Sequence, residues 1–440
     1  MSLSQILPSF GNLAFTLAAF VVALSIIVAV HEYGHYIVGR WTGIKAEVFS
    51  LGFGPVLFSR IDRHGTRWQV AALPFGGYVK FLGDANAASV GSDGTVDPAR
   101  QRQTMLGAPL WARAATVVAG PAFNFILAFL IFAGVILTTG TPREPLTVDR
   151  LVPLPEGIAG ALLPGDEIIA IDGHSVDNPL LPEVEANTAL VPYEVRRDGA
   201  GLQIDGPNPR LPVVGSVNVN SPAADAGVRP GDVILAVDGE RVMNFAHIIE
   251  IVSMSDGRSL PVLLWRGGEE LNLVIAPKRQ DLPLADGGFE TRWLLGIVQG
   301  PAFEPVLMTP GLGEAAGGAL SQIRYITVSS VSALWHIVTG AISTCNLSGP
   351  VGIAEASGAM AAQGTTSFLW FLGVLSAAIG LLNLFPIPVL DGGHLVFHAW
   401  EAITGNPPGP TALRILMSLG LAVLLTVMGF AILNDVIFCR

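Results

Sequence analysis

Residues Leu13–Val38 read LAFTLAAFVVALSIIVAVHEYGHYIV, an apolar run that closes on two histidines and a glutamate. About 20 apolar residues suffice to cross a hydrocarbon core roughly 30 Å thick. The run therefore predicts a spanning helix with ionisable groups near its inner end. It has no basic segment before it and no small-residue cleavage site, so it reads as a retained span rather than a signal peptide. The rest of the 440-residue chain agrees, with 51% hydrophobic and only 13% charged residues and a mean hydropathy of +0.55. Soluble proteins carry about 25% charged residues. Three more runs, Ala114–Leu137, Phe368–Phe385 and Leu413–Leu433, predict further spans.

Ile323–Ile342 is a fifth apolar stretch, but Arg324, His336 and many Ser and Thr make it an amphipathic interfacial helix. Lysine and arginine set the orientation. None precedes the first span, and Arg40, Lys45, Arg60, Arg63, Arg67, Lys80, Arg100 and Arg102 follow it. That loop is expected in the cytoplasm, the N-terminus outside, and the region from about Thr141 to Thr366 outside as well. Four crossings put Asp391 on the membrane face of His31, and five would separate them. The formal net charge of -11, with no basic stripe, excludes nucleic acid as a partner. Cys345 and Cys439 are too few for a disulfide framework; two unpaired buried thiols are expected, with a single bridge between them as the alternative.

Between Thr141 and Arg279 short alternating runs with Gly, Pro, Asp and Asn predict small β domains. LPGDEIIAIDG (Leu163–Gly173) matches RPGDVILAVDG (Arg229–Gly239) almost residue for residue, which indicates an internal repeat. The second copy resembles a circularly permuted bacterial PDZ domain, with Phe245–Met254 as the helix beside a peptide groove. The first is short for such a domain and is read as a trimmed or degenerate copy.

His31-Glu32-Tyr33-Gly34-His35 fits H-E-x-x-H. On a helix, positions i and i+4 share a face, so both imidazoles can reach one ion with the glutamate beside its water. Ionisable side chains at the end of an apolar span are functional by default. Catalytic zinc takes three protein ligands and keeps one position open. The stretch Asn383–His394 (NLFPIPVLDGGH) is the natural donor of the third, because Pro386 and Pro388 stop the preceding helix and present Asp391 at a bend. Two other readings stand beside this one. Asp391 could cap the next helix, and His394 with His398, also spaced i and i+4, could supply the ligands.

H-E-x-x-H at the end of a first span and N-x-x-P-x-P-x-L-D-G at the end of a late one resemble the site-2 protease family, in its bacterial regulator-of-sigma-E branch. Gly52–Pro55, Pro74–Lys80, Gly120–Asn124 and Leu347–Ala354 add to the likeness, whereas Ala85–Arg100 matches poorly and reads as a flexible loop. The resemblance implies Zn2+ held by His31, His35 and Asp391, Glu32 as general base, and a substrate backbone met by Asn383, Pro386, Pro388, Gly76, Gly77 and Tyr78. It also makes Gly52–Lys80 a membrane-associated β-hairpin, which the apolar residues flanking His64-Gly65 favour independently. Gly120, Pro121 and Asn124 read as helix-packing residues.

The expected fold is a polytopic α-helical membrane protein with four transmembrane helices, that hairpin region, and inserted extracytoplasmic β-rich PDZ-like domains. Its parts are residues 1–45 (first helix), 46–110 (hairpin and loop), 111–140 (second helix), and 145–209 and 210–280 (the PDZ-like pair). Residues 281–365 are expected as a linker with interfacial helices, 366–395 as the third helix and 396–440 as a cytoplasmic turn and the fourth. The implied activity is metal-assisted hydrolysis within single-span membrane proteins, by a monomer in the bacterial inner membrane, with periplasmic PDZ domains filtering substrates and the second able to take a peptide. Two rival classes are an inactive scaffold that recruits peptides, and a metal transporter using His31, His35, His394 and His398.

Overall fold

A computed structural model describes residues 7–84, 97–176, 188–218, 221–284 and 288–438. The helices in chain order are α1 (Leu7–Trp41), α2 (Leu110–Thr139), α3 (Pro222–Asp225), α4 (Phe245–Ser253), α5 (Leu312–Val338), α6 (Pro350–Gln363), α7 (Thr365–Asn383), α8 (Asp391–Thr404) and α9 (Pro410–Leu433). Among the described residues four helical stretches are long and apolar enough to span a membrane, namely Leu13–Trp41, Leu110–Thr139, Thr365–Asn383 and Pro410–Phe438. They coincide with the four expected runs. Their outward residues, such as Leu17, Val22, Leu130, Leu419 and Leu425, are exposed, as lipid-facing side chains are. The chain falls into two compact units, one of residues 1–135, 312–335 and 347–440 and one of residues 136–311 and 336–346.

In the first unit α1 packs along α6 and α7, with Ala23 and Ile27 buried against Leu372 and Phe368. Helix α5 lays Ala319, Ile323 and Ile326 on Phe132 of α2 and Ala377 of α7. Other apolar residues of the helix, among them Leu320, Val328, Val331 and Trp335, are exposed. The N-terminus of α6 has no side-chain cap of its own, and Asp435, beyond α9, accepts from Gly349 N–H at 3.0 Å and Gly352 N–H at 2.9 Å. That carboxylate satisfies donors a helix start leaves open.

Strands β1 (Ala46–Ile61) and β2 (Arg67–Phe81) form the expected hairpin, but a curled one. Phe49 lies opposite both Trp68 and Val79, so β1 touches both ends of β2. The far half of β1 is exposed and apolar, including Val56, Leu57, Phe58 and Ile61. Asp62 in the turn ties the hairpin to α1. Its carboxylate accepts from Trp68 Nε1 (3.0 Å), Tyr36 Oη (3.2 Å) and the backbone N–H groups of His64 and Thr66. Burial pushes its pKa up, but the Trp68 and backbone donors outweigh that and hold it at about 2. Of the loop at Ala85–Arg100, residues 85–96 lie outside the described residues, and Pro98–Gln103 is a short 3-10 helix.

The second unit repeats one design. Strands β3 (Glu167–Ile171), β4 (His174–Ser175), β5 (Leu190–Arg197) and β6 (Ala200–Pro207) form a sheet ordered 4-3-5-6. Strands β7 (Val233–Val237), β8 (Glu240–Arg241), β9 (Leu260–Arg266) and β10 (Glu269–Ile275) repeat it as 8-7-9-10. The Pro-Gly-Asp aspartates are only 1% exposed, and each takes a forked arginine from the third strand of its own sheet. Arg197 donates to Asp166 at 2.6 and 2.7 Å, and Arg266 to Asp232 at 2.7 and 2.7 Å. Helix α4 packs Ile248, Ile251 and Val252 into the second core. Residues 177–187 of the first copy, where a counterpart would fall, lie outside the described residues.

Two expectations are corrected here. The stretch after residue 280, read as a linker, sends strands back into both modules. Ile297–Gln299 pairs with Val214–Val217 and Phe303–Pro305 with Val148–Leu151, while Leu307–Met308 pairs with Thr141–Pro142 just before the first module. Strands of two or three residues show no periodicity, and only the open edges they fill make them strands. Cys345 is disulfide-bonded rather than a free thiol. The other cysteine, Cys439, lies outside the described residues. Whether a thiol finds a partner depends on tertiary proximity, which cysteine spacing does not carry.

Asp232→Ala leaves the Arg266 fork without its anion and should destabilise the second module by about 3 kcal/mol. Hydrogen exchange at the amides of β7 in the intact chain should rise accordingly.

Candidate metal centre

Helix α1 continues unbroken through His31 and His35, so its 3.6-residue period stacks the two rings one turn apart. Their centroids are 4.8 Å apart and nearly perpendicular. Asp391 arrives from the other end of the chain. After α7, the backbone turns through residues 384–390 and restarts as α8, whose N-cap position is Leu390 and whose first residue is Asp391. The aspartate is thus not the cap, and its side chain is free to point at the histidines. Its Oδ2 lies 3.1 Å from His31 Nε2 and 3.5 Å from His35 Nε2, and the two Nε2 atoms are 3.2 Å apart.

Those three distances have a simple reading. Donor atoms about 2.0–2.1 Å from a tetrahedral zinc stand about 3.3 Å from one another. The other sides of the rings support it. His35 Nδ1 donates to the Thr116 carbonyl at 2.8 Å, which leaves Nε2 as a bare lone pair. His31 Nδ1 lies 3.2 Å from the Asn124 amide, whose Oδ1 is buried with no partner. Exchanging the oxygen and nitrogen of that amide gives Nδ1–H its acceptor and satisfies Oδ1, so His31 Nε2 also presents a lone pair. Asp391 Oδ2 is buried and receives no hydrogen bond. Three inward electron pairs without a proton between them form a cradle for a cation, and an acid–imidazole donor set suits zinc.

Among the described residues this trio alone groups three metal-ligating side chains. His394 lines the same cavity but stands outside the trio. His398 belongs neither to the trio nor to the lining of that cavity, and its Nε2 is buried without a partner. Burial first, then the neighbouring Arg113 charge, holds His398 at about 4, so it is neutral at pH 7. The alternative ligand set is not assembled.

A cavity of about 280 Å³ opens on the trio, lined among others by Glu32, Gly77, Tyr78, Val117, Asn383 and Met417. Glu32 projects into it beside β2, whose Val79 also lines the cavity. Gly77 lies against it, and a Cβ there would stand 3.2 Å from Glu32 Cγ. Of the expected substrate-contacting residues, Gly77, Tyr78 and Asn383 line the cavity, while Gly76, Pro386 and Pro388 do not. Asn383 Nδ2 is engaged with the Ile379 carbonyl at 3.0 Å. Gly76 packs on Phe53, and Pro388 on Gly420.

The residues that sequence reading undervalued lie on α2. Asn124 and Gly120, expected as helix-packing residues, both meet the histidines. A Cβ at Gly120 would stand 2.3 Å from His35 Nε2 and 2.8 Å from His31 Nε2. Gly34, inside the H-E-x-x-H motif, similarly lets the backbone of Ala119 approach. The available signal was a Gly-x-x-x-Asn pattern in a predicted span, where small and amide residues mark close helix contacts.

A spanning-helix bundle with two histidines, an aspartate and an adjacent glutamate on one small cavity defines a membrane-embedded metalloprotease. The chain belongs to Peptidase family M50, the site-2 protease family, whose profile matches residues 19–427. Proteins of Agrobacterium fabrum (strain C58) and Rhizobium meliloti (strain 1021), whose names include the words zinc metalloprotease, are 36% and 37% identical to it. The alignments run over 440 and 431 residues, 99% and 97% of each chain. The regulator of sigma-E protease RseP of Salmonella typhimurium is 31% identical over 455 residues, 96% of this chain and 99% of its own. The protein is a zinc-dependent metalloendopeptidase with membrane-spanning helices.

Gly120→Ala should displace both imidazoles and weaken zinc binding roughly 10-fold or more, read by chelator competition. Gly134→Ala, with open space around it, should leave zinc affinity unchanged.

Proposed function

We propose that the protein hydrolyses peptide bonds within the transmembrane segments of single-span membrane proteins, of the anti-sigma-factor type or remnant signal peptides. His31, His35 and Asp391 hold the zinc and Glu32 is the general base. The observation that carries this reading is the meeting of the three donors and Glu32 on one cavity at the end of a spanning helix.

Bound zinc supplies Lewis acidity toward the scissile carbonyl and lowers the pKa of water toward about 7. Glu32 takes a proton on its carboxylate from the attacking water and returns it to the leaving amine. A helical substrate hides its carbonyls in its own hydrogen bonds and must be unwound locally before it reacts. Strand β2 runs past Glu32 at Gly77–Val79, and pairing with its edge would compensate the substrate for the bonds it loses. Asn383 would steady the substrate backbone once released from Ile379.

The setting proposed is the bacterial inner membrane, with the β modules on the periplasmic side and the protein acting as a monomer in contact with lipid. Placement of Lys and Arg in the loop after α1 supports that orientation. The modules are proposed as PDZ domains that filter substrates, the second able to take a peptide. The repeated 4-3-5-6 and 8-7-9-10 sheets, and α4 beside the second, are compatible with that. Transport through His394 and His398 has less support, because neither joins the donor trio.

The test uses the purified full chain in detergent with a single-span model substrate. Glu32→Gln should lower cleavage about 10²–10⁴-fold while zinc content stays at the wild-type level. Equal cleavage by both proteins would overturn the assignment.

A further inference from the structure

Two helices present matching polar faces in an apolar setting. On α2, Arg113, Thr116, Gly120 and Asn124 follow at intervals of three and four residues and so share one side. On α8, Asp391, His394, His398 and Glu401 do the same, while Val396, Trp400 and Ile403 on the opposite side are exposed. Three of the α2 positions meet the histidines directly, as described above. The fourth, Arg113, reaches α8. Its Nη1 donates to Glu401 Oε2 at 2.9 Å and its Nη2 to Glu401 Oε1 at 2.6 Å. The side chains are only 11% and 17% exposed.

This pair is a poor device for stability alone. Burying two charges costs about as much as their attraction returns, and an apolar pair of similar volume does as well. Arg113 Nε, moreover, is buried with no acceptor. A planar fork is good at fixing direction. Ten residues separate Asp391 from Glu401, about 15 Å along a helix rising 1.5 Å per residue. The near end of α8 is seated by Gly392 and Gly393, where an added Cβ would stand 2.3 Å from the carbonyl oxygens of Leu384 and Ile387. A helix seated at one end can still rotate and tilt. A second fixed point at Glu401 removes that freedom.

We propose that Arg113 and Glu401 are positioning residues that set the angle of α8, and with it the direction of Asp391. All three donors are then referred to α2: His31 through Asn124, His35 through Thr116, and Asp391 through Arg113 and Glu401. Reactive constellations tolerate about 0.5 Å and 10–20° of misplacement, which one seated end does not guarantee. The inference rests on Asp391 being the third zinc ligand.

The experiment uses the purified full chain, with zinc affinity by chelator competition, the absorption spectrum of the cobalt-loaded protein, thermal unfolding, and KM and kcat on a single-span substrate. Glu401→Gln and Arg113→Lys, which break the fork, should weaken zinc binding roughly 10–100-fold, alter the cobalt spectrum and lower kcat with KM within about twofold. The double variant Arg113→Leu/Glu401→Leu leaves no unpaired charge. It should regain the wild-type unfolding temperature but not the zinc affinity. Recovery of zinc affinity by the double variant, wild-type affinity in Glu401→Gln, or failure of the double variant to fold would each overturn the proposal. Failure of the underlying ligand assignment would look different, as wild-type zinc affinity in Asp391→Ala.

Discussion

The structure turns on the approach of Asp391 to His31 and His35. One helix cannot supply a third ligand to an ion gripped by its own i and i+4 imidazoles, because the rest of its face points elsewhere. The aspartate has to be brought by another helix, at the same depth, from the far end of the chain. Lone pairs crowded to 3.1–3.5 Å repel one another unless a cation lies among them. The remaining helices hold that arrangement in place.

Helix α2 holds most of it. It meets α1 where Gly34 and Gly120 allow backbone and rings to come close, and its Thr116 carbonyl and Asn124 amide orient the two imidazoles. Its first turn carries Arg113 to Glu401 on α8. An apolar environment makes such contacts decisive. A buried imidazole N–H or carboxylate left unpaired is costly, so each is held by a protein partner in one geometry.

The hairpin brings a different kind of group. It offers backbone, with Gly77 and Val79 lining the cavity beside Glu32, and its position depends on Asp62 gathering Trp68, Tyr36 and two amides. Tyr36 follows His35 directly on α1, so one turn of one helix carries both a metal-facing ring and the anchor of the strand that faces the cavity.

Much of this was legible from the chain. The four spans follow from apolar length, the His31-Glu32-His35 face from helix period, and the twin modules from the repeated Pro-Gly-Asp turns, whose aspartates proved to take the same arginine fork. These are local properties, set by neighbours within a few residues. The grouping of Asp391, rather than His394 or His398, with the two histidines, the contacts of Asn124, Arg113 and Glu401, the return of Ile297–Gln299 and Phe303–Pro305 to earlier strands, and the bonding of Cys345 were decided by tertiary structure. Each depends on which groups become neighbours after the chain has folded back on itself. A carboxylate and a guanidinium 288 residues apart carry no mark of their pairing beyond being charges in apolar helices.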